Sequence, residues 1–464
     1  MSYYQPPPGA PPSHQQQHQQ HHQPHQQPYD YAYPPQGPGG FAPQQPQPQQ
    51  HHPWAIPPHP PTGYAPPAPS YPNPHTQPYP PPYPYPAQPP PPTHHQPQHQ
   101  QGWSPSPFAP AQQGSHPPPP LQTYLGTQVL PTNVPVHLAL APGALDNPVV
   151  VHSVEKLVGA MKGFGTDEKK LIEVFSNKSA IELQTIAAAY KQRTGRPLHT
   201  ALQSETSGYF SILCKALSLG PVGFDAYLIH EASAGAGTDE AVLTEVLVGR
   251  TAEELMMLRS VYNEMYPGKN LDRTVLDELS LKTRRMYEMI LTAPPPSAQP
   301  PSQTQASQDA RQLDSLLRTG RTDEMAICSI VLGSGKGPAY LSMVAAAYGA
   351  QNGNKGDEEL IKKVKKHFNG HMEEGIVWAL EGGLRDGEGV YRDALYLEQS
   401  MKGLGTKDEA LCRRLIRSSW DAQRFQRVRA QYRLMYKKDL ADRVKGETGG
   451  DYGRLATVIA KGRS

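Results

Sequence analysis

The feature that most restricts the fold of this 464-residue chain is a pattern repeated four times. A threonine leading into acidic residues opens each copy: GTDE at 165–168, GTDE at 237–240, RTDE at 321–324 and GTKDE at 405–409. Each opening leads through an apolar-periodic stretch to a tyrosine, Tyr190, Tyr262, Tyr348 or Tyr432, placed 24, 24, 26 and 26 residues after the threonine. Self-similarity at fixed spacing means that each copy is one supersecondary unit and that neighbouring units share a core. The local period is helical. In TDEKKLIEVFSNKS, Leu171, Ile172, Val174 and Phe175 fall on one stripe. Thr166 is expected as the N-cap, with Asp167 and Glu168 in the first turn, where the helix dipole favours acids. Ser179 and Glu182 have the spacing of a capping box before the next stripe. No strand-like alternation competes here, so the expected class is all-α. The four tyrosines are expected in the core.

The N-terminal part cannot fold in the same way. Of 54 prolines, 41 lie in residues 1–120, with 13 of the 19 histidines and a single charged residue, Asp30. Frequent proline blocks helix and ladder and favours local polyproline II, and so few aliphatic side chains cannot offset the entropy of ordering. The expected organisation is a disordered low-complexity tail over 1–145 and units over 146–220, 221–292, 309–385 and 386–464. A Pro/Gln-rich linker over 293–308 divides the units into two pairs. Outside residues 1–120 the charge is 43 Lys and Arg against 40 Asp and Glu, which gives no reason to expect nucleic-acid binding. No apolar run approaches about 20 residues, so a spanning helix is not expected. The N-terminus has neither the charged region nor the apolar core of a secretory signal. Cys214, Cys328 and Cys412 are far apart in apolar contexts and read as buried reduced thiols.

The first and fourth openings are preceded by nearly the same six residues, MKGFGT at 161–166 and MKGLGT at 401–406. Gly-x-Gly can adopt positive φ and turn the carbonyl oxygens of residues i, i+2 and i+4 toward one point. Met161, Gly163 and Gly165 have that spacing, as do Met401, Gly403 and Gly405. Carbonyl oxygens suit a hard cation, and Ca2+ takes six to eight oxygens in flexible geometry. Three carbonyls bind weakly, so a carboxylate is expected as well. Glu205 in QSETSGYF lies 44 residues after Met161, and Glu447 in KGETGGDY lies 46 after Met401.

This combination of MKGFGT with a distant SETSG resembles the annexin repeat and its calcium site. Four such units behind a variable tail match annexin organisation over about residues 146–464, and the tail and the variant GTKDEALCRRLIRSSWD resemble the annexins of filamentous fungi. The resemblance implies a curved disc of four helical repeats with the loops on its convex face. Carried over residue by residue, the ligands are Met161, Gly163, Gly165 and Glu205 in unit one and Met401, Gly403, Gly405 and Glu447 in unit four. Unit two has SAGAGT, giving Ser233, Gly235 and Gly237, with Glu278 in the acid register and Asp277 as a substitute. Unit three departs: LRTGRT has Gly320 without a second glycine, and KKVKKHFNG puts His367 among lysines where the acid belongs. No calcium site is expected there.

One carboxylate per site means low intrinsic affinity, which a lipid phosphate raises by supplying oxygen and charge. The implied protein is a non-enzymatic, Ca2+-dependent binder of anionic phospholipid, cytoplasmic and peripheral on membranes when Ca2+ rises. Several weak sites on one face act together through effective concentration. Phe164 and Leu404 at the loop tips and Lys162 and Lys402 beside them are the expected membrane contacts, each lysine worth about 1 kcal/mol near an anionic leaflet. A different class is a scaffold driven by the tail, with a core of weak calcium response. A third is a calcium-dependent channel, which only the resemblance suggests. The segment PYPPPYPYP resembles annexin tails that recruit EF-hand partners. GSGKGP at 333–338 lacks the spacing of a phosphate loop, and no HExxH, GxSxG or Cys/His pair offers catalysis.

Overall fold

The computed structural model describes residues 117–462 except 164, 236, 293–301, 319–322, 334–336, 354–355 and 384. The expectations for the tail before 117, for Phe164, for Gly320 and its loop and for most of GSGKGP lie outside the described residues. The described chain is helical in four units of five. Unit one comprises α2 (Pro148–Ala160), α3 (Glu168–Phe175), α4 (Ala180–Thr194), α5 (Leu198–Glu205) and the first half of α6 (Gly208–Ala232). Unit two takes the second half of α6, then α7 (Glu240–Leu247), α8 (Ala252–Met265), α9 (Leu271–Asp277) and α10 (Leu281–Leu291). Unit three has α11 (Gln303–Arg318), α12 (Glu324–Leu332), α13 (Pro338–Gln351), α14 (Gly356–His367) and α15 (Gly370–Gly383). Unit four has α16 (Val390–Met401), α17 (Asp408–Ser419), α18 (Ala422–Tyr436), α19 (Leu440–Glu447) and α20 (Gly450–Ala460).

Helix starts follow the chemistry of their caps, with one shift from expectation. The capping box of Ser179 and Glu182 is formed, with a second at Thr251 and Glu254. Thr166 is not a cap. Asp167 caps α3 by accepting from the Lys170 N–H, and Asp239 and Asp323 do the same for α7 and α12. The carboxylate is one residue closer to the free N–H groups of the first turn, which releases the threonine for another partner.

Helix α6 is more apolar over its length than the sequence reading allowed, though it is not a spanning helix. It is long and apolar enough to cross a bilayer, yet 83% of its most apolar window is buried in the protein. Gly220 leaves helical geometry at φ +69°, ψ 179° before Pro221, so α6 is two core helices joined across a break. That break joins units one and two without a loop.

One continuous core runs through all four units. Tyr262, Tyr348 and Tyr432 are fully buried and Tyr190 nearly so, and the three cysteines are buried and free, their thiols pushed up by burial. Units two and four are tied by buried charge. Glu245 accepts from Arg413 Nε at 2.8 Å and Arg414 Nη2 at 2.7 Å, and Asp225 accepts from Arg417 Nε at 2.7 Å. Burial pushes Glu245 up, but the two guanidiniums outweigh it and hold it below the usual carboxylate range. Removing one partner of such a buried pair costs roughly 3–5 kcal/mol. A cavity of about 220 Å³ lies beside this network, between units two, three and four, with Arg392 and Arg424 against Asp393 in its wall.

Two boundaries move. The tail was expected to extend to 145, but the fold already includes residues from 117. Strands β1 (Gln122–Tyr124) and β2 (Thr127–Val129) pair antiparallel around Leu125 and Gly126, both at positive φ, followed by the short helix α1 (Val136–Ala139) and a 3₁₀ turn at Ala144–Asp146. The anchor is Tyr124, which is fully buried and donates to Asp225 Oδ2 at 2.8 Å, while Leu125 N–H donates to Glu254 Oε1 at 2.9 Å. The linker is also shorter than 293–308. After Pro301 nothing blocks a helix, and α11 begins at Gln303 with Ala306 already buried. Tyr124→Ala is expected to destabilise the protein by about 3–5 kcal/mol and Tyr124→Phe by about 1 kcal/mol. Denaturant unfolding checks both, and no change for the alanine variant would detach the hairpin from the fold.

Candidate metal centres

Each glycine loop fills the gap between the first and second helix of its unit. The loop between α2 and α3 closes with Asp167 N–H on Ala160 O at 2.9 Å, that between α6 and α7 with Asp239 N–H on Ala232 O at 2.9 Å, and that between α16 and α17 with Lys407 N–H on Ser400 O at 2.8 Å. Gly163 and Gly165 have φ of +104° and +86°, Gly235 and Gly237 +112° and +104°, Gly403 and Gly405 +119° and +82°. A Cβ at any of the six would meet open space. Backbone conformation, not crowding, therefore requires glycine.

The released threonine joins each loop to its distant acid. Thr166 Oγ1 donates to the Glu205 carbonyl at 2.7 Å, Thr238 Oγ1 to the Glu278 carbonyl at 3.3 Å, and Thr406 Oγ1 to the Glu447 carbonyl at 3.5 Å and to its Oε2 at 3.0 Å. These bonds bring together the residues that the sequence placed in register. Glu205 and Glu447 end α5 and α19, and Glu278 directly follows α9. Each loop thus brings the C-terminus of its unit's first helix to the C-terminus of the fourth. Both ends carry the partial negative charge of a helix C-terminus, which favours a cation.

The three loops are not equivalent. In unit one no described group bonds to the carbonyls of Met161, Gly163 or Gly165, and the half-buried Glu205 carboxylate has no hydrogen-bond or ion-pair partner among the described residues, though its charge is felt by Tyr190. An unpaired carboxylate beside three unbonded carbonyls is the donor set of a hard, oxygen-loving cation, and the residues fit Ca2+. In unit two Glu278 is exposed, with no ion pair among the described residues, whereas Asp277 is paired with Arg284 at 3.4 Å. The Ser233 hydroxyl there is buried without a partner. In unit four no described group bonds to the Gly403 and Gly405 carbonyls, but Arg443 bonds the Glu447 carboxylate and donates from Nη2 to the Met401 carbonyl at 2.5 Å. The sequence reading missed Arg443. Its signal was an Arg four residues before a Glu on one helix, a spacing that pairs them. In unit three His367 ends α14 at the acid position, and its Nδ1 lies 2.8 Å from the Lys363 carbonyl.

Among the described residues no three His, Cys, Asp or Glu side chains cluster as metal ligands. A cation at these loops would be held mainly by backbone oxygen. The loop surfaces are open: Lys162 and Lys402 are exposed and Leu404 is fully exposed at its tip.

A family model described as Annexin matches residues 152–217, 224–290 and 392–459, which are units one, two and four. The chain is 36% identical over 309 residues to annexin C1 of Cryptococcus neoformans, covering 66% of this chain and 64% of that protein. It is 32% identical to human annexin A7, covering 67% and 61%, and 30% identical to dog annexin A13, covering 67% and 95%. The chain thus spans somewhat under two thirds of annexins C1 and A7 and nearly all of A13. Among solved structures it is similar to a mutant of annexin A8 with an intact N-terminus, with TM-score 0.60 and 28% identity over 67% of this chain and 94% of that one. It is also similar to chicken annexin V in complex with Zn2+, with TM-score 0.58 and 27% identity over 68% and 95%. The repeated loops, the helical units and these relatives agree, and the chain belongs to the annexin family.

Proposed function

We propose that this protein binds anionic phospholipid surfaces reversibly through Ca2+ held at its glycine loops, without catalysis, and that it attaches peripherally from the cytoplasm to organise membranes or support their trafficking. The observation that carries the proposal is the first loop, where three unbonded carbonyls stand beside an unpaired Glu205 carboxylate. The family relatives support the same general activity.

Within this proposal Met161, Gly163, Gly165 and Glu205 hold the ion in unit one. Met401, Gly403, Gly405 and Glu447 do so in unit four, and Ser233, Gly235, Gly237 and Glu278 in unit two. Ca2+ bound there supplies positive charge and open coordination positions for a lipid phosphate oxygen. Thr166 keeps Glu205 against the loop, so the fourth donor is in place before binding and its ordering is not charged to the ion. Lys162 and Lys402 add attraction to an anionic leaflet, each by about 1 kcal/mol. Leu404 is free to enter the interface, and Phe164 holds the same place in the first loop's sequence.

Co-sedimentation with phosphatidylserine vesicles tests the proposal. The protein should pellet with Ca2+ and be released by chelator, and Glu205→Gln with Glu447→Gln should abolish most pelleting. Pelleting of that double variant at the wild-type level would show that the acids are wrongly assigned. Loss of pelleting on deleting residues 1–116 alone would favour a tail-driven scaffold. Thr166→Val should weaken Ca2+ binding at the first loop by about three- to tenfold, the equivalent of one hydrogen bond, while far-ultraviolet circular dichroism stays unchanged. Calorimetry reads the affinity, and an unaltered value would remove Thr166 from the site.

A further inference from the structure

We propose that Arg443 is a built-in counter-cation that holds the fourth-unit site closed at Ca2+ concentrations that fill the first, so that the two best-matched loops respond in sequence. The inference rests on the calcium-binding proposal above and concerns how this chain ranks its sites. Behind each loop, three corresponding positions differ in charge from unit to unit. They are the residue three before the first carbonyl donor, the residue four before the acid and the tyrosine of the unit's third helix. In unit one they are Val158, Ala201 and Tyr190, with no charge. In unit two they are His230, Thr274 and Tyr262, where the tyrosine donates to Thr274 Oγ1 at 3.2 Å and His230 Nδ1 lies 3.4 Å from its oxygen. In unit three they are Asp314, Lys363 and Tyr348, with Lys363 Nζ donating to the tyrosine oxygen at 2.7 Å and lying 3.4 Å from Asp314. In unit four they are Glu398, Arg443 and Tyr432, and Tyr432 donates to Glu398.

Only in unit four does the charged residue at the position before the acid reach forward to the described ligands. The Arg443 guanidinium bonds the Glu447 carboxylate and the Met401 carbonyl, two of the four protein donors assigned to Ca2+, while its Nε stays 3.5 Å from Glu398 Oε2. Thr406 holds the other Glu447 oxygen. A planar guanidinium bonding two oxygens at once is a strong occupant of such a site. Ca2+ must displace it before those donors are free. Glu398 behind gives the displaced guanidinium a carboxylate to keep, which makes the exchange reversible. Unit one, with Ala201 in the same place, has no such competitor among the described residues.

Calorimetric Ca2+ titration of the full chain tests the inference. A Glu205→Gln/Glu278→Gln background isolates the fourth loop, and Arg443→Ala or Arg443→Thr removes the competitor. Those residues already occupy the same helix position in units one and two, so the fold accommodates them. The expected result is Ca2+ binding at the fourth loop tightened by about tenfold, the effect of losing one charge-assisted contact. The Ca2+-free melting temperature should fall while the rise on adding Ca2+ grows. Unchanged or weaker Ca2+ binding in both Arg443 variants overturns the inference and leaves the calcium proposal intact. If Glu205→Gln alone removes no Ca2+ equivalent from the wild-type count, the calcium proposal fails and this inference with it.

Discussion

A hydrogen bond from a loop threonine to a helix-end carbonyl, spanning 39, 40 and 41 residues in units one, two and four, is the contact on which each site depends. A glycine loop alone presents carbonyls, and a helix alone ends in an acid. Their meeting is set by the threonine hydroxyl on the helix-end carbonyl, which leaves the carboxylate unbonded by the threonine in units one and two, while in unit four Thr406 also bonds Glu447 Oε2 at 3.0 Å. The bond is available because aspartate caps α3 and α7. Had the threonine capped the helix, its hydroxyl would have been spent on a local N–H. The helices bearing the two halves are fixed in turn by the core, with Tyr262, Tyr348 and Tyr432 sealed between them.

The units then diverge by what stands behind this shared frame. Unit one leaves its acid without an ion pair among the described residues, unit two has neutral groups, unit three has a lysine–aspartate pair, and unit four turns an arginine onto the Glu447 carboxylate and the Met401 carbonyl. Affinity in such a site depends on ligand charge, so an internal cation changes it as effectively as the loss of a carboxylate. The family model matches units one, two and four, while unit three, with the most divergent loop, keeps the same five-helix order. Packing periodicity thus outlasts the ligand set.

Much of this was legible in sequence because it depends on local pattern. The helical stripes, the Ser179 capping box, the buried tyrosines and cysteines and the spacing of Glu205 and Glu447 from their loops all follow from period and distance along the chain. The hairpin was hidden because its turn is Leu125-Gly126 rather than the usual Asn-Gly, and because its value lies in one tertiary bond, Tyr124 to Asp225. The break in α6 is carried by Gly220 at positive φ before Pro221, inside a run that otherwise reads as one apolar helix. The cap shift from Thr166 to Asp167 could not be chosen from sequence, since both residues are good caps and only the distant carbonyl decides. Arg443 was visible as an Arg–Glu pair, but its reach to Met401 exists only after folding.

Ca2+ at these loops is proposed to be incompletely coordinated by protein and completed by lipid. Equilibrium Ca2+ binding measured with and without phosphatidylserine vesicles addresses it directly. Affinity at least about tenfold higher with vesicles, the equivalent of one added ligand contact, is the predicted result. Equal affinity in the two conditions would mean that the protein saturates the ion by itself and that lipid supplies no ligand.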